Sequence, residues 1–264
     1  MKMSSERLNW TFNTVPELYE KYRHCYVDRI YNDIFLYKPV DESCKLIEVG
    51  IGTGIATLPF LKTGAQVTAI EYGDSLSEFC RTKFKEYPNF DVKTLNFEDY
   101  ECADNSVDLV YSASAFHWIP EEVGYSKVYS MLKPGGVFAR FANHPFPDKS
   151  RPELSPAIQD VYKTYAPHRG GKFAPPVEYT EQDAKNRAMI AEKYGFKDIT
   201  YKVYHSTRTF TAEQYIGLLG TYSDNIAMEE NVRRAFFGEI KQAISNHGNK
   251  ITVYDTMDLQ LARK

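Results

Sequence analysis

The sequence predicts an α/β fold built on a doubly wound, mostly parallel sheet, and three observations carry that prediction. Short apolar runs alternate with helical patterns from Lys45 to Phe141, a glycine-rich turn follows the first run, and Lys38-Pro39, Gly64 and Pro88 each close a helical pattern. Such alternation implies parallel βαβ units with right-handed crossovers and helices on both faces of one sheet. The ligand of a doubly wound sheet lies outside the carboxyl ends of its strands, where strand order reverses.

The elements follow in order. Residues 15–38 read as one helix, because Val15, Leu18, Tyr19, Tyr22, Tyr26 and Ile30 recur at three- and four-residue intervals. Lys45–Val49 is a short apolar strand, Ile55–Lys62 a helix, Gln66–Ile70 a second strand and Ser75–Tyr87 a second helix of the core. Phe90–Leu95 and Val107–Ser112 are the third and fourth strands, Glu121–Leu132 is a helix, and Val137–Phe141 is the fifth strand after Pro134-Gly135-Gly136. Residues 143–180 carry seven prolines and the Arg169-Gly170-Gly171 turn, so they read as a connector or as a lid-like insertion. Structureless loops beyond ~12–15 residues are uncommon in compact domains, which favours the lid. Helical patterns return at Glu181–Tyr194, Ala212–Thr221 and Glu229–Asn246, with strand candidates at Ile199–His205 and Ile251–Leu261.

At 264 residues the chain suits a single domain: an N-terminal helical cap (1–40), a ligand-binding core (45–141), the insertion (143–195) and C-terminal strands and helices (196–264). The net charge is −3 and no run of Lys and Arg stands out, so a nucleic-acid partner is not expected. The four cysteines are scattered without metal-ligand spacing, so neither a metal nor a disulfide framework is expected. No run approaches the ~20 apolar residues of a membrane helix and no signal peptide is visible. A cytoplasmic chain, monomer or homodimer, with no membrane partner is the expectation.

The turn reads Glu48-Val49-Gly50-Ile51-Gly52-Thr53-Gly54-Ile55. Glycines at alternate positions after a strand let a ligand sit against bare main chain, near the positive end of the next helix. The dinucleotide fingerprint GxGxxG/A wants Gly or Ala where Ile55 stands. A carboxylate at Glu48 would repel a pyrophosphate and accept an ammonium group. Glu71 closes the second strand about 20 residues after Gly50, the offset at which a carboxylate meets ribose hydroxyls, and so supports a nucleoside of either class.

From Lys45 to Phe141 the chain resembles the class I S-adenosylmethionine-dependent methyltransferases, in their small-molecule (methyltransferase type 11-like) branch. The resemblance rests on the acidic-x-GxGxG turn, the acidic end of the second strand, LNFEDYECADNSVDLVYSASAFHWI and MLKPGG. It extends to the first helix, where Tyr19, Tyr22, Arg23 and Tyr26 match a Y-x-x-YRP-x-Y entry and His24 replaces its proline. The resemblance implies a Rossmann-like, seven-stranded sheet with its last strand antiparallel, and S-adenosylmethionine as cofactor. It implies that Gly50, Gly52 and Gly54 cradle the methionine part with Glu48 near its ammonium. Glu71 and its neighbour Tyr72 would hold the ribose, and Asn96, standing where the family has Asp, and Phe97 the adenine. Ser112 would line the methionine and Arg23 reach its carboxylate, unless Arg23 is a helix-surface ion pair.

His117 is the candidate general base for methyl transfer to a small-molecule acceptor, and equally a packing residue. Trp118, Tyr19, Tyr22 and Tyr222 are candidate acceptor contacts, or else rings packed in the core. The motif [DNS]-P-P-[YFW] of enzymes that methylate nucleic-acid bases is absent, with SASAF in its place. The rival readings are an NAD-dependent oxidoreductase and a non-catalytic S-adenosylmethionine-binding protein.

Overall fold

A computed structural model describes residues 16–23, 25–165 and 176–264; Val15, His24 and the Arg169-Gly170-Gly171 turn lie outside them. The leading segment is two helices, α1 (Pro16–Tyr22) and α2 (Asp28–Tyr37), where the periodicity predicts one. Tertiary bonds break it. The Arg23 guanidinium donates to the Thr221 hydroxyl and carbonyl at 2.9 and 2.8 Å, and the Tyr26 and Ser114 hydroxyls lie 2.7 Å apart. Val27, with ψ 143°, then restarts the chain from an extended conformation.

The core follows as β1 (Lys45–Val49), α3 (Leu58–Leu61), β2 (Gln66–Glu71), α4 (Asp74–Lys83), β3 (Phe90–Thr94), β4 (Val107–Ala113), α5 (Glu121–Met131) and β5 (Leu132–Phe146). Helix α3 is shorter than the predicted 55–62 because the glycine turn runs on to Thr57 through three-residue bonds, Gly54 to Ile51 and Thr57 to Gly54. The remaining elements are α6 (Leu154–Tyr165), α7 (Glu181–Ala188), β6 (Lys197–Thr211), α8 (Ala212–Leu219), α9 (Ser223–Ile226), α10 (Glu230–Asn246) and β7 (Lys250–Arg263). In its described part, the proline-rich stretch is thus the end of β5 and helix α6.

One seven-stranded sheet results, in the order β3-β2-β1-β4-β5-β7-β6. Strands β1 to β5 pair in parallel, and β7 runs antiparallel between β5 and β6. Strand order reverses between β1 and β4, so the carboxyl ends of those two strands open the crevice that a doubly wound sheet uses for its ligand.

Strand alternation divides the core by face. Leu46, Val67, Leu109 and Tyr111 pack with Ile30 and Ile34 of α2 and with Phe60 of α3. Ile47, Val49, Val110 and Phe138 pack on the other face with Tyr125 and Val128 of α5. A third cluster joins α6 to α10 through Leu154, Ile158, Phe236, Ile240 and Ile244. Phe60 sits fully buried at the centre of the first face, stacked on Tyr111 at 3.8 Å and edge-on to Tyr31 and Phe35. Phe60→Ala is expected to lower unfolding stability by about 3–5 kcal/mol in a urea titration.

Candidate active site

The glycine turn is fixed by close approach and by one carboxylate. Gly50 has φ 73°, and a Cβ there would lie 2.3 Å from the Ala115 Cβ; at Gly54, φ 72°, a Cβ would lie 2.4 Å from the Phe84 ring. Side chains at either position would be strained by the backbone and excluded by the neighbour. Glu71 spans the turn: Oε2 accepts from the Gly52 N–H at 2.9 Å and Oε1 from the Gly73 N–H at 3.0 Å. Burial raises the Glu71 carboxyl above its ordinary range against these two donors.

Above the turn lies a cavity of about 680 Å³, within the usual size of a small-molecule site. At one end Gly50, Gly52, Glu71, Tyr72, Asn96 and Phe97 line it, from the carboxyl ends of β1, β2 and β3. Phe97 is buried in a single 3-10 turn (Phe97–Asp99), Asn96 Nδ2 donates to Asp99 Oδ2 at 3.0 Å, and Tyr72 stands exposed at the rim. At the other end His117, Trp118, Arg140, His144 and Arg187 line it, from β4, β5 and α7. Tyr19, Arg23 and Tyr222 close it from the side, with the Arg23 guanidinium 4.8 Å from the Tyr19 ring centroid and 4.3 Å from that of Tyr222.

Four predicted site residues lie outside this lining. Glu48 shares the first core face with Leu46, beneath the turn, where Thr57 and Tyr111 both donate to its Oε2 at 2.7 and 2.8 Å. Burial pushes its carboxyl up to about 7. It therefore neither faces an ammonium group nor presents the charge that was to repel a pyrophosphate; Glu71 is the carboxylate at the turn. Gly54 packs on Phe84. Ser112 is fully buried and donates to the Val49 carbonyl at 2.8 Å, tying β4 to β1. Tyr22 lies against Gly217 of α8, where a Cβ would meet its ring at 2.4 Å.

His117 is held down to about 4, first by burial and then by the charges of Arg187, Arg140 and His144. Its ring is neutral at pH 7 and too weak a base to draw a proton efficiently. Around this end of the cavity also stand ionic residues that the sequence pattern does not single out. Arg208 donates to both oxygens of the fully buried Asp255 at 2.6 and 2.9 Å. Asp258, also buried, meets His144 at 3.0 Å and Arg187 at 3.4 Å. Burial would raise Asp258, but the His144 bond and the Arg187 charge outweigh it and hold it below the usual carboxylate range. One signal is present in the sequence: Arg140 interrupts the apolar run Val137–Ala142, and Asp255 and Asp258 are charges inside the strand candidate Ile251–Leu261.

Residues 47–140 match the methyltransferase domain family. The chain is 27% identical to an uncharacterized methyltransferase of Schizosaccharomyces pombe, over 89% of this chain and 87% of that one. It is 24% identical to malonyl-[acyl-carrier protein] O-methyltransferase 1 of Ilyobacter polytropus, over 74% and 71%. The family match, these relatives and the fold together support a class I S-adenosylmethionine-dependent methyltransferase. As a fold, this methyltransferase is similar to a putative type II methyltransferase from Anaeromyxobacter dehalogenans, with TM-score 0.62, 18% identity, and coverage of 91% of this chain and 97% of that one. It is also similar to phosphoethanolamine N-methyltransferase 2 of Haemonchus contortus, solved with S-adenosyl-L-methionine, with TM-score 0.53, 17% identity, and coverage of 96% and 57%. Among the described residues, no helix is long and apolar enough to cross a membrane and no group of His, Cys, Asp and Glu is placed to hold a metal ion.

The position of Glu48 makes stability depend on pH. Its folded value of about 7 lies above the ordinary 4.5, so the folded state holds the proton more tightly and stability falls as pH rises between those values. Wild type is expected to lose up to about 3 kcal/mol across that window, and Glu48→Gln to show a correspondingly flatter profile in urea titrations at several pH values.

Proposed function

We propose that this methyltransferase binds S-adenosylmethionine along the ends of β1, β2 and β3 and methylates a small-molecule acceptor held over β4 and β5. The observation that carries this reading is the single cavity shared by the glycine turn and the acceptor wall. The residues present suit the cofactor. Gly50 keeps the turn bare of side chains, and Glu71 would hold the ribose diol. Phe97 would offer its buried ring to the base, and Arg23, whose described hydrogen bonds go to Thr221 and to no carboxylate, would meet the cofactor's carboxylate. The bound cofactor would supply an electrophilic methyl group on a sulfonium sulfur.

The chain's own part is to position and to exclude water. Glu71 orders the turn through Gly52 and would accept from the ribose hydroxyls with the lone pairs left over. Tyr19, Arg23 and Tyr222 stack into a side wall that keeps solvent from the reacting atoms. A cavity enclosed this way suits a metabolite rather than a duplex, which agrees with the net charge of −3. The cytoplasm is the compartment this reading implies.

An NAD-dependent reading is disfavoured by Ile55, which stands where the dinucleotide fingerprint wants Gly or Ala. Calorimetric titration is expected to show S-adenosylmethionine binding and no NAD binding. Glu71→Ala is expected to weaken the former by about tenfold to hundredfold, the loss of charge-assisted bonds and of the turn's anchor. Absence of any S-adenosylmethionine binding would overturn the proposal.

A further inference from the structure

Arg140 lies in the middle of β5, between Ala139 and Phe141, and its side chain is 8% exposed. Its guanidinium lies 5.3 Å from the Phe116 ring centroid and 6.0 Å from that of Tyr125, and Nη1 donates to the Tyr125 hydroxyl at 2.9 Å. Nε is buried and has no hydrogen-bond partner. Arg140 forms no ion pair among the described residues, although two buried carboxylates stand on the neighbouring strand β7. Both are already taken. Asp255 is held by Arg208 and Asn143, and Asp258 by His144, Arg187, Tyr179 and Gln260.

The charges facing this end of the cavity can therefore be compared. Arg208 is matched by Asp255 and Arg187 by Asp258, while Arg140 remains unmatched beside a neutral His117. A guanidinium so deeply buried without a counter-charge is unfavourable, and a fold retains it where something else supplies the anion. Its planar fork fits a carboxylate in two parallel bonds. One uncompensated cation among apolar rings matches a carboxylate better than a phosphate, which would bring up to two charges.

Resting on the function proposed above, we propose that the methyl acceptor is a small organic carboxylate and that Arg140 is the residue that holds it. Arg140 projects from β5, on the far side of β4 from the strands that carry the cofactor end, so it acts on acceptor choice and leaves cofactor binding alone.

The test is calorimetric titration of malonate and succinate into protein saturated with S-adenosylhomocysteine. Succinamide, 1,4-diaminobutane and inorganic phosphate serve as comparisons. The dicarboxylates are expected to bind while the amide and the diamine do not. Arg140→Gln is expected to weaken dicarboxylate binding by about tenfold to hundredfold at unchanged S-adenosylhomocysteine affinity, and Arg140→Lys to restore part of it. Dicarboxylates binding no better than succinamide, phosphate binding in preference to them, or Arg140→Gln binding them as wild type does would each overturn the inference. If Arg140→Gln fails to fold, the wild-type comparison decides alone. Failure of wild type to bind S-adenosylhomocysteine is a separate result that overturns the functional reading as well.

Discussion

The site depends on the Glu71 carboxylate spanning the glycine turn. Its two oxygens take N–H groups from Gly52 on one side and Gly73 on the other, so one side chain fixes the turn after β1 relative to the start of α4. The turn needs such an anchor because Gly50, Gly52 and Gly54 all take positive φ, where glycine has the greatest freedom to lose. From below, Glu48 provides the complementary constraint by accepting from Thr57 and Tyr111, which ties the end of the turn to β4. Two acidic residues of the same motif thus face opposite ways. One shapes the floor of the cavity and the other locks the turn to the sheet.

The far end of the cavity follows a different rule. Asp255 and Asp258 stand on β7, an antiparallel strand inserted between β5 and β6, and that insertion brings buried carboxylates beside the cavity. A buried carboxylate needs a partner, and Arg208, His144 and Arg187 supply the partners. These pairs join β5, β6, α7 and β7 around the cavity. Tyr179, just before α7, stacks on His144 with ring centroids 3.6 Å apart and donates to Asp258 at 3.1 Å. His144, Arg187 and Arg208 are thus each held by a carboxylate of β7, whereas Arg140 is not.

The strands are legible in the sequence because each is a run of apolar residues bounded by turn-forming ones, and β1 falls at Lys45–Val49 as its run predicts. The glycine turn and Glu71 are legible for the same local reason, spacing along one chain segment. What escapes is decided by distant partners. The division of residues 15–38 into α1 and α2 follows from bonds to Thr221 and Ser114, far along the chain, while the helical spacing continues through it. The face taken by Glu48 follows from its register opposite Tyr111 on β4, and spacing within β1 carries no information on that. Arg140, Asp255 and Asp258 are intermediate cases: a charge inside a buried strand is visible, but its partner is not.

The same division separates the part of the chain that matches methyltransferases from the part that does not. The family match ends at residue 140, so it takes in the turn, Glu71, Asn96, Phe97 and the His117-Trp118 pair. His144, Arg187, Arg208, Asp255 and Asp258 all lie beyond it, on the end of β5, α7, β6 and β7. Arg140 is the last matched residue and the first of the cations at the far end of the cavity, at the seam between the two parts. A doubly wound core that binds one cofactor places few demands on the elements packed over its far edge. In this chain the elements packed there set two buried carboxylates behind the cavity's cations, Asp255 matched to Arg208 and Asp258 to Arg187, and leave Arg140 unmatched.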